Sequence, residues 1–428
     1  MIAIPTCATV TPLPLDGWLQ LLEQRHPREI DLGLERVGTV ATRLGLASPA
    51  RQTIVVAGTN GKGSCVAILE HLLRQMGKTV GCYTSPHLLR FNERITLRGV
   101  PVDDAQLVTA FARIEQARGV ISLTYFEFAT LAALWVMARA DLDVALLEVG
   151  LGGRLDAVNI IDSDAAIVTS IDLDHQQWLG HTRETIAREK VAIARRGRPL
   201  ICGDSDPPQA LCDYLAGWNE FAYYLGRDGF SLNSENDTLT LRCRTPHGET
   251  VRYPALSATH IPLASIACAV QALISIGHSP TRAQLSRALA GVRIPGRMQW
   301  LTAAGSGVVL DVAHNPAATA LLSRQLAPLK RGRLLALFAA MADKDIPAMV
   351  ASLAPLVDRW VLCGLPDVKR AASLRQLAAA CDVLGLDAEC HADVGTGYTA
   401  AVNDMGEQDI LVVFGSFYTV SAVLQLHR

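Results

Sequence analysis

The segment that most restricts the fold runs from Thr53 to Leu73 and reads TIVVAGTNGKGSCVAILEHLL. It begins with an apolar run typical of a buried strand, continues through a glycine-rich turn, and ends with apolar residues at helical spacing. A strand, a glycine-rich turn and a helix in this order form the usual layout of a phosphate-binding loop. The segment therefore predicts a phosphate site in a fold that combines strands and helices.

The first part of the chain alternates strand-like apolar runs with helical segments, such as DDAQLVTAFARIEQAR and FEFATLAALWVMARA. The predicted strands are Thr53–Ala57, Lys78–Tyr83, Asp143–Val149, Ala165–Ser170 and Arg198–Gly203. Continuous apolar runs suit strands that are buried on both faces, so they predict a largely parallel sheet covered by helices. The more polar, alternating residues from Asp228 to Arg252 predict antiparallel ribbons at the edge of that sheet.

A second series of strand-like runs begins near Val308 and comprises GVVLDVAH, GRLLALFAA, RWVLCG and DILVVFG. A chain of 428 residues is longer than one hydrophobic core usually supports, which favours two domains. The stretch GVRIPGRMQW (Gly291–Trp300) carries proline and glycine between the two series. We therefore predict an α/β domain over residues 1–294 and a smaller α/β domain over residues 295–428.

Composition excludes several classes of protein. Half of the residues are hydrophobic and 19% are charged, which excludes disorder for most of the chain. The formal net charge is −2 and no cluster of Lys and Arg indicates a nucleic-acid partner. The apolar runs are too short to span a membrane, and the first residues lack the features of a signal peptide. We expect a cytoplasmic protein of enzyme size.

The residues of the loop explain how it would hold phosphate. Gly58, Gly61 and Gly63 let backbone N–H groups converge on phosphate oxygens without interference from a Cβ atom. Lys62 would neutralise the terminal phosphates, and Ser64 would bind their magnesium ion. An ordinary strand-to-helix turn is the alternative, but Lys and Ser at the start of the helix favour phosphate.

Two side chains at predicted strand ends are candidate metal ligands. Glu148 follows the apolar residues VALL, where a carboxylate is costly to desolvate unless a cation accompanies it. The carboxyl ends of the strands form the ligand crevice in an open α/β sheet. His175 follows the next strand. A lone histidine is usually structural, but its position one strand after a candidate metal-binding Glu148 favours a ligand. In the glycine-rich loop after Glu148, Arg154 would face the substrate or the phosphate.

Two further residues have specific predicted roles. Pro86 after Ser85 indicates a fixed turn that would aim Ser85 at the metal. Lys190 lies among apolar residues of a predicted helix, where burial would lower the pKa of its amine. A neutral amine reacts with carbon dioxide, and the resulting carbamate is an anion suited to magnesium. A plain surface lysine is the alternative that composition alone favours.

An ordered set of motifs gives a more specific indication. The motifs GTNGKGS, SPHL, TYFEF, EVGLGGRLDA, VTSIDLDH, REK, PGR, DVAHNP and GSFYTV occur in this order between Gly58 and Val420. Together they resemble the folylpolyglutamate synthase family, a branch of the Mur ligase-like amide-forming enzymes, whose phosphate loop has the same extra glycine after the lysine. The resemblance implies a P-loop parallel-sheet ATPase domain like the Mur ligase central domain, followed by a smaller Rossmann-like α/β domain.

The resemblance also implies the roles of individual residues. Ser85, Glu148 and His175 would bind magnesium, and carbamoylated Lys190 would help hold a second ion. The ATP-binding residues would be Gly58, Thr59, Asn60, Gly61, Lys62, Gly63, Ser64, Arg297, Asp311 and His314. Ser265 takes the place where the family commonly has an adenine-contacting Asn, and a hydroxyl supplies only part of an amide's hydrogen bonding. The pterin-side pocket would be lined by Thr124, Tyr125, Phe126, Glu127, Gly153, Arg154 and Leu155.

The stretch from Trp18 to Val37 most resembles the bifunctional bacterial members of the family. Their activity would be an ATP-dependent amide ligation through an acyl phosphate, which adds L-glutamate to 7,8-dihydropteroate and further glutamates to reduced folates. We expect a monomer. Three alternatives stay open at this point: an enzyme that only extends existing folates, a small-molecule kinase with the same loop, and a nucleotide-dependent binding module without catalysis.

Overall fold

The computed structural model describes residues 13–26, 30–216, 221–227, 230–235, 238–257, 261–303 and 306–428. Within these ranges the strands form three sheets of eight, three and six strands. Residues 1–12, where the sequence shows no features of a signal peptide, lie outside the described part. No helix in the described part of the chain is long and apolar enough to cross a bilayer.

The eight-stranded sheet is the centre of the first domain. Its strand order is β4-β3-β2-β5-β1-β6-β7-β8, and the strands from β2 to β8 in this order are parallel. Strands β3 and β4 extend one edge in antiparallel pairing. The strands are β1 (Gln52–Ala57), β2 (Val80–Tyr83), β3 (Ile95–Leu97), β4 (Val100–Pro101), β5 (Val144–Glu148), β6 (Ala165–Val168), β7 (Leu200–Cys202) and β8 (Ala222–Tyr224).

Both faces of this sheet are covered, as the continuous apolar runs predict. In β1, Ile54 and Val56 pack into one core, while Val55 and Ala57 pack into the other. The covering helices are α1 (Leu15–Arg25), α2 (Glu35–Leu44), α3 (Lys62–Gln75), α4 (Asp104–Arg118), α5 (Tyr125–Met137), α6 (Gln176–Leu179), α7 (Arg183–Val191), α8 (Gln209–Leu215), α9 (Leu263–Ser275) and α10 (Arg282–Gly291). The prediction of a largely parallel sheet between helices is confirmed.

The polar ribbons are antiparallel as predicted, but their predicted position is wrong. The strands β9 (Ser231–Glu235), β10 (Thr238–Arg244) and β11 (Thr250–Ser257) form a separate three-stranded sheet. Alternate residues of β10, including Leu239 and Leu241, are buried in the same core as the apolar side of α9. The ribbons therefore cover a helix instead of extending the large sheet.

The second domain is built on the six-stranded sheet, with strand order β12-β13-β17-β14-β15-β16. Only the pair of β12 with β13 is antiparallel. Alternate residues of β14 again enter different cores. The strands are β12 (Gln299–Ala303), β13 (Ser306–Leu310), β14 (Leu334–Phe338), β15 (Arg359–Cys363), β16 (Ala388–His391) and β17 (Ile410–Phe414).

The helices of the second domain are α11 (Pro316–Leu326), α12 (Ile346–Leu353), α13 (Leu374–Asp382), α14 (Val394–Asp404) and α15 (Phe417–Leu426). A segment of the first domain also packs here. Leu88 is buried among core residues of the second domain, and its carbonyl accepts a hydrogen bond from Ser421 Oγ at 2.7 Å. The last helix of the first domain is α10, and the six-stranded sheet begins at β12. The division of the domains after residue 294 stays a prediction.

Candidate active site

The phosphate loop joins β1 to α3 through glycines that the structure requires. A Cβ atom on Gly58, whose φ is +148°, would lie 1.9 Å from Thr169 Oγ1. Gly61 precedes α3 with a φ of 85°, in the left-handed region that favours glycine. The first helical bond runs from Cys65 N to Gly61 O at 2.9 Å. The preceding N–H groups at the start of α3 are therefore open to an anion.

Lys62 lies at the mouth of this loop. Its Nζ donates hydrogen bonds to Gly58 O at 3.0 Å and Thr59 O at 3.3 Å, so the side chain folds back over the loop. Burial lowers the pKa of Lys62, and the nearby carboxylate of Glu148 opposes that shift. A buried ammonium group beside open N–H donors provides a positive site for a polyphosphate.

The segment after β6 fixes the backbone of the loop. Thr59 Oγ1 donates to Asp172 O at 3.1 Å and accepts from Asp172 N at 3.0 Å. Asn60 O accepts hydrogen bonds from Thr169 Oγ1 at 2.6 Å and from Ser170 Oγ at 3.1 Å. Any shift of the segment after β6 would therefore move the phosphate loop as well.

Glu148 is the last residue of β5 and is 5% exposed. Its Oε2 accepts a hydrogen bond from Ser85 N at 3.2 Å, and a Cβ atom on Gly63 would lie 3.7 Å from the same oxygen. Burial raises the pKa of Glu148, although the positive charge of Lys62 opposes this. A buried carboxylate with so little fixed compensation is suited to a cation. The structure thus brings Glu148, Ser85 and the start of α3 together.

His175 and Lys190 line one cavity with Lys62. A narrow cavity is lined by Gly58, Thr59, Lys62, Gly150, Gly152, Asp174, His175 and Lys190. Burial lowers the pKa of His175 to about 4, which keeps the imidazole in the neutral form that binds metals. Burial also lowers the pKa of Lys190 to about 7, with Lys62 adding to the effect. Lys190 is only 4% exposed, so it is not a surface lysine.

The sequence analysis missed Asp174, which lies beside His175. Its Oδ1 accepts a hydrogen bond from Lys344 Nζ at 2.5 Å, and its Oδ2 accepts from Asn315 Nδ2 at 3.1 Å. His314 Nε2 lies 3.7 Å from the same Oδ2. Burial alone would raise the pKa of Asp174, but the charge of Lys344, together with that of His175 when its imidazole is protonated, holds this pKa well below its usual range. The available signal was that Asp174 directly precedes His175 in the segment after β6.

A cavity of about 1540 Å³ lies between the domains, and its walls include Asn60, Gly61, Ser64, Ser265, Arg297 and Asp311. Arg297 Nη1 is 4.0 Å from Asp311 Oδ1, and Asp311 also accepts from Met298 N at 2.9 Å. Ser265 Oγ donates to Gly61 O at 3.4 Å. Predicted ATP residues from both domains thus face one cavity. His314 instead faces Asp174.

Residues predicted for the pterin side form part of the scaffold of α5. Thr124 Oγ1 accepts from Glu127 N at 3.2 Å, while Glu127 Oε2 accepts from Thr124 N at 2.8 Å. Glu127 Oε1 also accepts from Arg36 Nη2 at 3.1 Å. These contacts form a capping box and attach α2 to α5. Phe126 packs so closely on Gly150 that a Cβ there would come within 2.5 Å of its ring.

The loop after β5 is packed on the turn of α7 that carries Lys190. A Cβ atom on Gly153 would lie 2.7 Å from Glu189 O. The Arg154 guanidinium donates to Glu189 Oε1 through Nε at 3.0 Å and Nη2 at 2.9 Å, and its side chain is half-exposed. Leu155 is half-buried. Gly153 therefore lets the loop lie close to α7. The guanidinium of Arg154 is paired with the Glu189 carboxylate in this structure.

Among the described ranges, no three His, Cys, Asp or Glu side chains form a group that could hold a metal ion. The predicted set does not require such a group, because it combines Glu148 and His175 with serine hydroxyls and a modified lysine. The electrostatic surroundings of Lys62 include Glu148, Asp174 and Arg297, while those of His175 include Lys62 and Lys190. Candidate residues from several segments therefore lie within electrostatic reach of Lys62.

Comparison with known proteins identifies the family of the chain. The model of the Mur ligase middle domain matches residues 56–209, and that of the Mur ligase glutamate ligase domain matches residues 296–417. The chain is 41% identical over 414 residues to dihydrofolate synthase/folylpolyglutamate synthase of Escherichia coli, covering 96% of this chain and 95% of that protein. The chain belongs to this family. It is accordingly an ATP-dependent ligase that joins glutamate to folates.

Solved structures of dihydrofolate synthase/folylpolyglutamate synthase family members match the whole fold. Escherichia coli FolC in complex with DHPP and ADP has a TM-score of 0.90 at 40% identity, covering 97% of each chain. The Yersinia pestis enzyme complexed with AMPPNP and Mn ion has a TM-score of 0.90 at 41% identity, covering 97% of this chain and 98% of that one. The predicted fold class and the predicted ligase activity are confirmed.

Proposed function

We propose that this ligase activates the carboxylate of 7,8-dihydropteroate, and of reduced folates, as an acyl phosphate at a site around Lys62, Glu148 and His175. The observation that carries the proposal is the position of Lys62, which donates to the phosphate loop, lies near the charge of Glu148 and lines one cavity with His175 and Lys190. The Escherichia coli relative held both DHPP and ADP, which supports a pterin substrate beside the nucleotide.

The chemistry needs activation because a carboxylate has no acceptable leaving group for an attacking amine at neutral pH. A carboxylate oxygen of the substrate attacks the γ-phosphorus of ATP, and the bond to the bridging oxygen breaks to release ADP. The amine of L-glutamate then attacks the carbonyl carbon, loses a proton and expels inorganic phosphate. Lys62 and the open N–H groups of α3 stabilise the negative charge during phosphoryl transfer.

The buried carboxylate of Glu148 fits a divalent cation, because it accepts one backbone hydrogen bond and lies beside the phosphate loop. Magnesium would be held there by Glu148 with the hydroxyls of Ser64 and Ser85. When bound, the ion neutralises phosphate charge. His175 and Lys190 would hold a second ion. The Mn ion in the Yersinia pestis relative supports a divalent metal in this site.

The modification of Lys190 rests on its surroundings. Its amine is buried and its pKa is lowered to about 7, so a large neutral fraction exists at neutral pH. The neutral nitrogen attacks the carbon of carbon dioxide and loses a proton, which converts a cation into an anionic carbamate. That change would replace repulsion between Lys190 and Lys62 with attraction, and it would supply oxygen ligands for the second ion.

The remaining predictions concern binding and organisation. The cavity between the domains would hold ATP through Arg297, Asp311 and Ser265, while Phe126 and the loop over residues 153–155 would border the pterin pocket. The domains would divide after residue 294, with closure between them excluding water from the acyl phosphate. We also propose a monomer that acts in the cytoplasm without a nucleic-acid partner.

Product analysis with omission of single reactants tests the proposal. The complete mixture of ATP, L-glutamate and dihydropteroate should yield ADP, phosphate and dihydrofolate, and each omission should abolish the amide product. Replacing dihydropteroate by a reduced folate should yield a lengthened folate. Products from reduced folate alone would indicate an enzyme that only extends folates. A stable phosphate ester formed without glutamate would indicate a kinase.

A further inference from the structure

A group of buried polar side chains joins the two domains at the phosphate loop. Asn60 belongs to the loop, while Asn315 precedes α11 in the second domain. Asn60 Nδ2 donates to Asn315 Oδ1 at 3.1 Å, and Asn315 Nδ2 donates to Asn60 Oδ1 at 2.9 Å. These two side chains, 255 residues apart in the chain, form a reciprocal pair that is named here the interdomain amide pair.

The hydrogen-bonding capacity of the Asn315 amide is fully used. Besides the bonds to Asn60, its Oδ1 accepts from Ala318 N at 2.9 Å, which caps α11. Its second N–H donates to Asp174 Oδ2 at 3.1 Å. An asparagine side chain offers two N–H donors and one oxygen with two lone pairs, and all four are occupied here. A hydroxyl or a carboxylate cannot make this set of bonds.

The same group reaches both halves of the proposed site. Asn60 lies two residues before Lys62, and its carbonyl is held by Thr169 and Ser170. Asp174 precedes His175 in the chain, and its Oδ1 accepts from His175 N at 2.8 Å. Lys344 of the second domain fixes that carboxylate through an ion pair in which both side chains are less than 10% exposed. Docking of the second domain therefore bears directly on the phosphate loop and on the segment that carries His175.

We propose that Asn315 is a positioning residue for phosphoryl transfer. Through the interdomain amide pair it fixes the phosphate loop when the second domain is docked, so that Lys62 and the N–H groups of α3 meet the nucleotide in one geometry. Asn315 acts through Asn60 and does not touch the reacting atoms. The inference rests on the proposed function, because the geometry that it fixes is the one used to form the acyl phosphate.

The variant Asn315→Ser separates this role from helix capping. A serine hydroxyl can still accept the bond from Ala318 N, because Ser is as good as Asn before the first helical residue, but it has no amide for Asn60. The matched control is Asp393→Ser, since Asp393 caps α14 within the second domain by accepting from Thr396 N at 2.8 Å. The two variants change the same kind of cap, and only one lies at the domain interface.

We expect Asn315→Ser to lower kcat about tenfold, within the range of typical coupling free energies. The KM for dihydropteroate and the stoichiometry of AMPPNP binding should match those of Asp393→Ser, while the fall in Tm should be larger because the bonds to Asn60 and Asp174 are also lost. In a double-variant cycle, Asn60→Ser with Asn315→Ser should be no slower than Asn60→Ser alone, because either change removes the whole pair. Should Asn315→Ser fail to fold, Asn60→Ser must show the tenfold loss of kcat with an unchanged Tm.

A kcat for Asn315→Ser within twofold of wild type would overturn the inference, as would losses that simply add in the double variant. Failure of the proposed function would appear elsewhere, namely in wild-type protein whose ADP release does not depend on dihydropteroate and glutamate. In that case the inference would be tested by AMPPNP affinity alone, measured for wild type, Asn60→Ser, Asn315→Ser and the double variant. Additive changes in affinity would overturn it, and non-additive changes would support it.

Discussion

Two buried carboxylates, one at the end of β5 and one in the segment after β6, have opposite electrostatic surroundings. Glu148, at the end of β5, accepts one backbone hydrogen bond, and burial raises its pKa. Asp174, after β6, accepts from Lys344, Asn315 and the backbone of His175, and its pKa is lowered. Both are less than 10% exposed, so burial alone does not distinguish them. The difference lies in the cationic and N–H donors around each one.

The contrast separates two uses of a buried charge. Asp174 has fixed partners from the second domain, so its charge holds the domains together and orients the segment before α6. Glu148 faces Lys62 and the open start of α3 without comparable fixed partners, so its charge is available to an exchangeable cation. A buried carboxylate therefore stabilises the structure at Asp174 and is available for cation binding at Glu148.

The largest expected effect is on the activity of the Glu148→Gln variant. Loss of the carboxylate charge should lower kcat for glutamate-dependent ADP release by roughly 10³-fold, because charge stabilisation at the phosphates is lost. Since the amide is neutral, Tm should not fall. Wild-type activity in this variant would remove Glu148 from the site, and a large fall in Tm would show that its charge is structural.

The Asp174→Asn variant should behave in the opposite way. Removing one member of a buried ion pair leaves Lys344 uncompensated, which should lower the free energy of unfolding by about 3 kcal/mol. Urea unfolding measures this change, and the variant Lys344→Met should give a loss of similar size. A free energy of unfolding for Asp174→Asn equal to that of wild type would contradict a structural role for the Asp174 charge.

Lys190 tests whether the cavity that it lines with Asp174 and Lys62 carries an extra anion. Wild-type protein in ¹³C-labelled bicarbonate should show a carbamate signal by NMR, which Lys190→Arg should lack because the guanidinium does not lose its proton near neutral pH. This variant should also lower kcat by roughly 10²-fold. An active wild-type enzyme without a carbamate signal would contradict the modification.

The smallest expected effect concerns Glu127, a third buried carboxylate. Glu127→Gln weakens the bonds to Thr124 N and Arg36, so we expect a loss of about 1 kcal/mol in the free energy of unfolding. The kcat should stay within twofold of wild type, because these bonds belong to the scaffold of α5. A tenfold rise in the KM for dihydropteroate would instead show direct contact with the substrate.

Features that depend on local pattern were predictable. Lys62 follows a strand and a glycine-rich turn, and Glu148 ends an apolar run, so both positions follow from the sequence around them. The parallel sheets follow from continuous apolar runs. The strand β16 (AECH) was missed because it has no apolar run, and β12 was missed because it was assigned to the junction between the domains.

Features that depend on distant contacts were not predictable. Asn315 and Lys344 meet Asp174 across 141 and 170 residues, and neither pairing leaves a periodic signal. The alternation in β10 predicted antiparallel pairing, but only the packing on α9 decides that the ribbons form a separate sheet. The capping box of Thr124 and Glu127 is by contrast a local T-x-x-E pattern that the sequence analysis did not use, and their place in the pterin-side pocket stays a prediction.

Manganese binding in the presence of AMPPNP tests the central claim most directly, with free Mn²⁺ measured by electron paramagnetic resonance. Wild type is compared with the variants Glu148→Gln and Glu127→Gln. Each variant removes one buried carboxylate. We predict that Glu148→Gln weakens Mn²⁺ binding about 100-fold, corresponding to about 2.7 kcal/mol, while Glu127→Gln binds as wild type does. Equal affinity in all three proteins would contradict a cation site at Glu148.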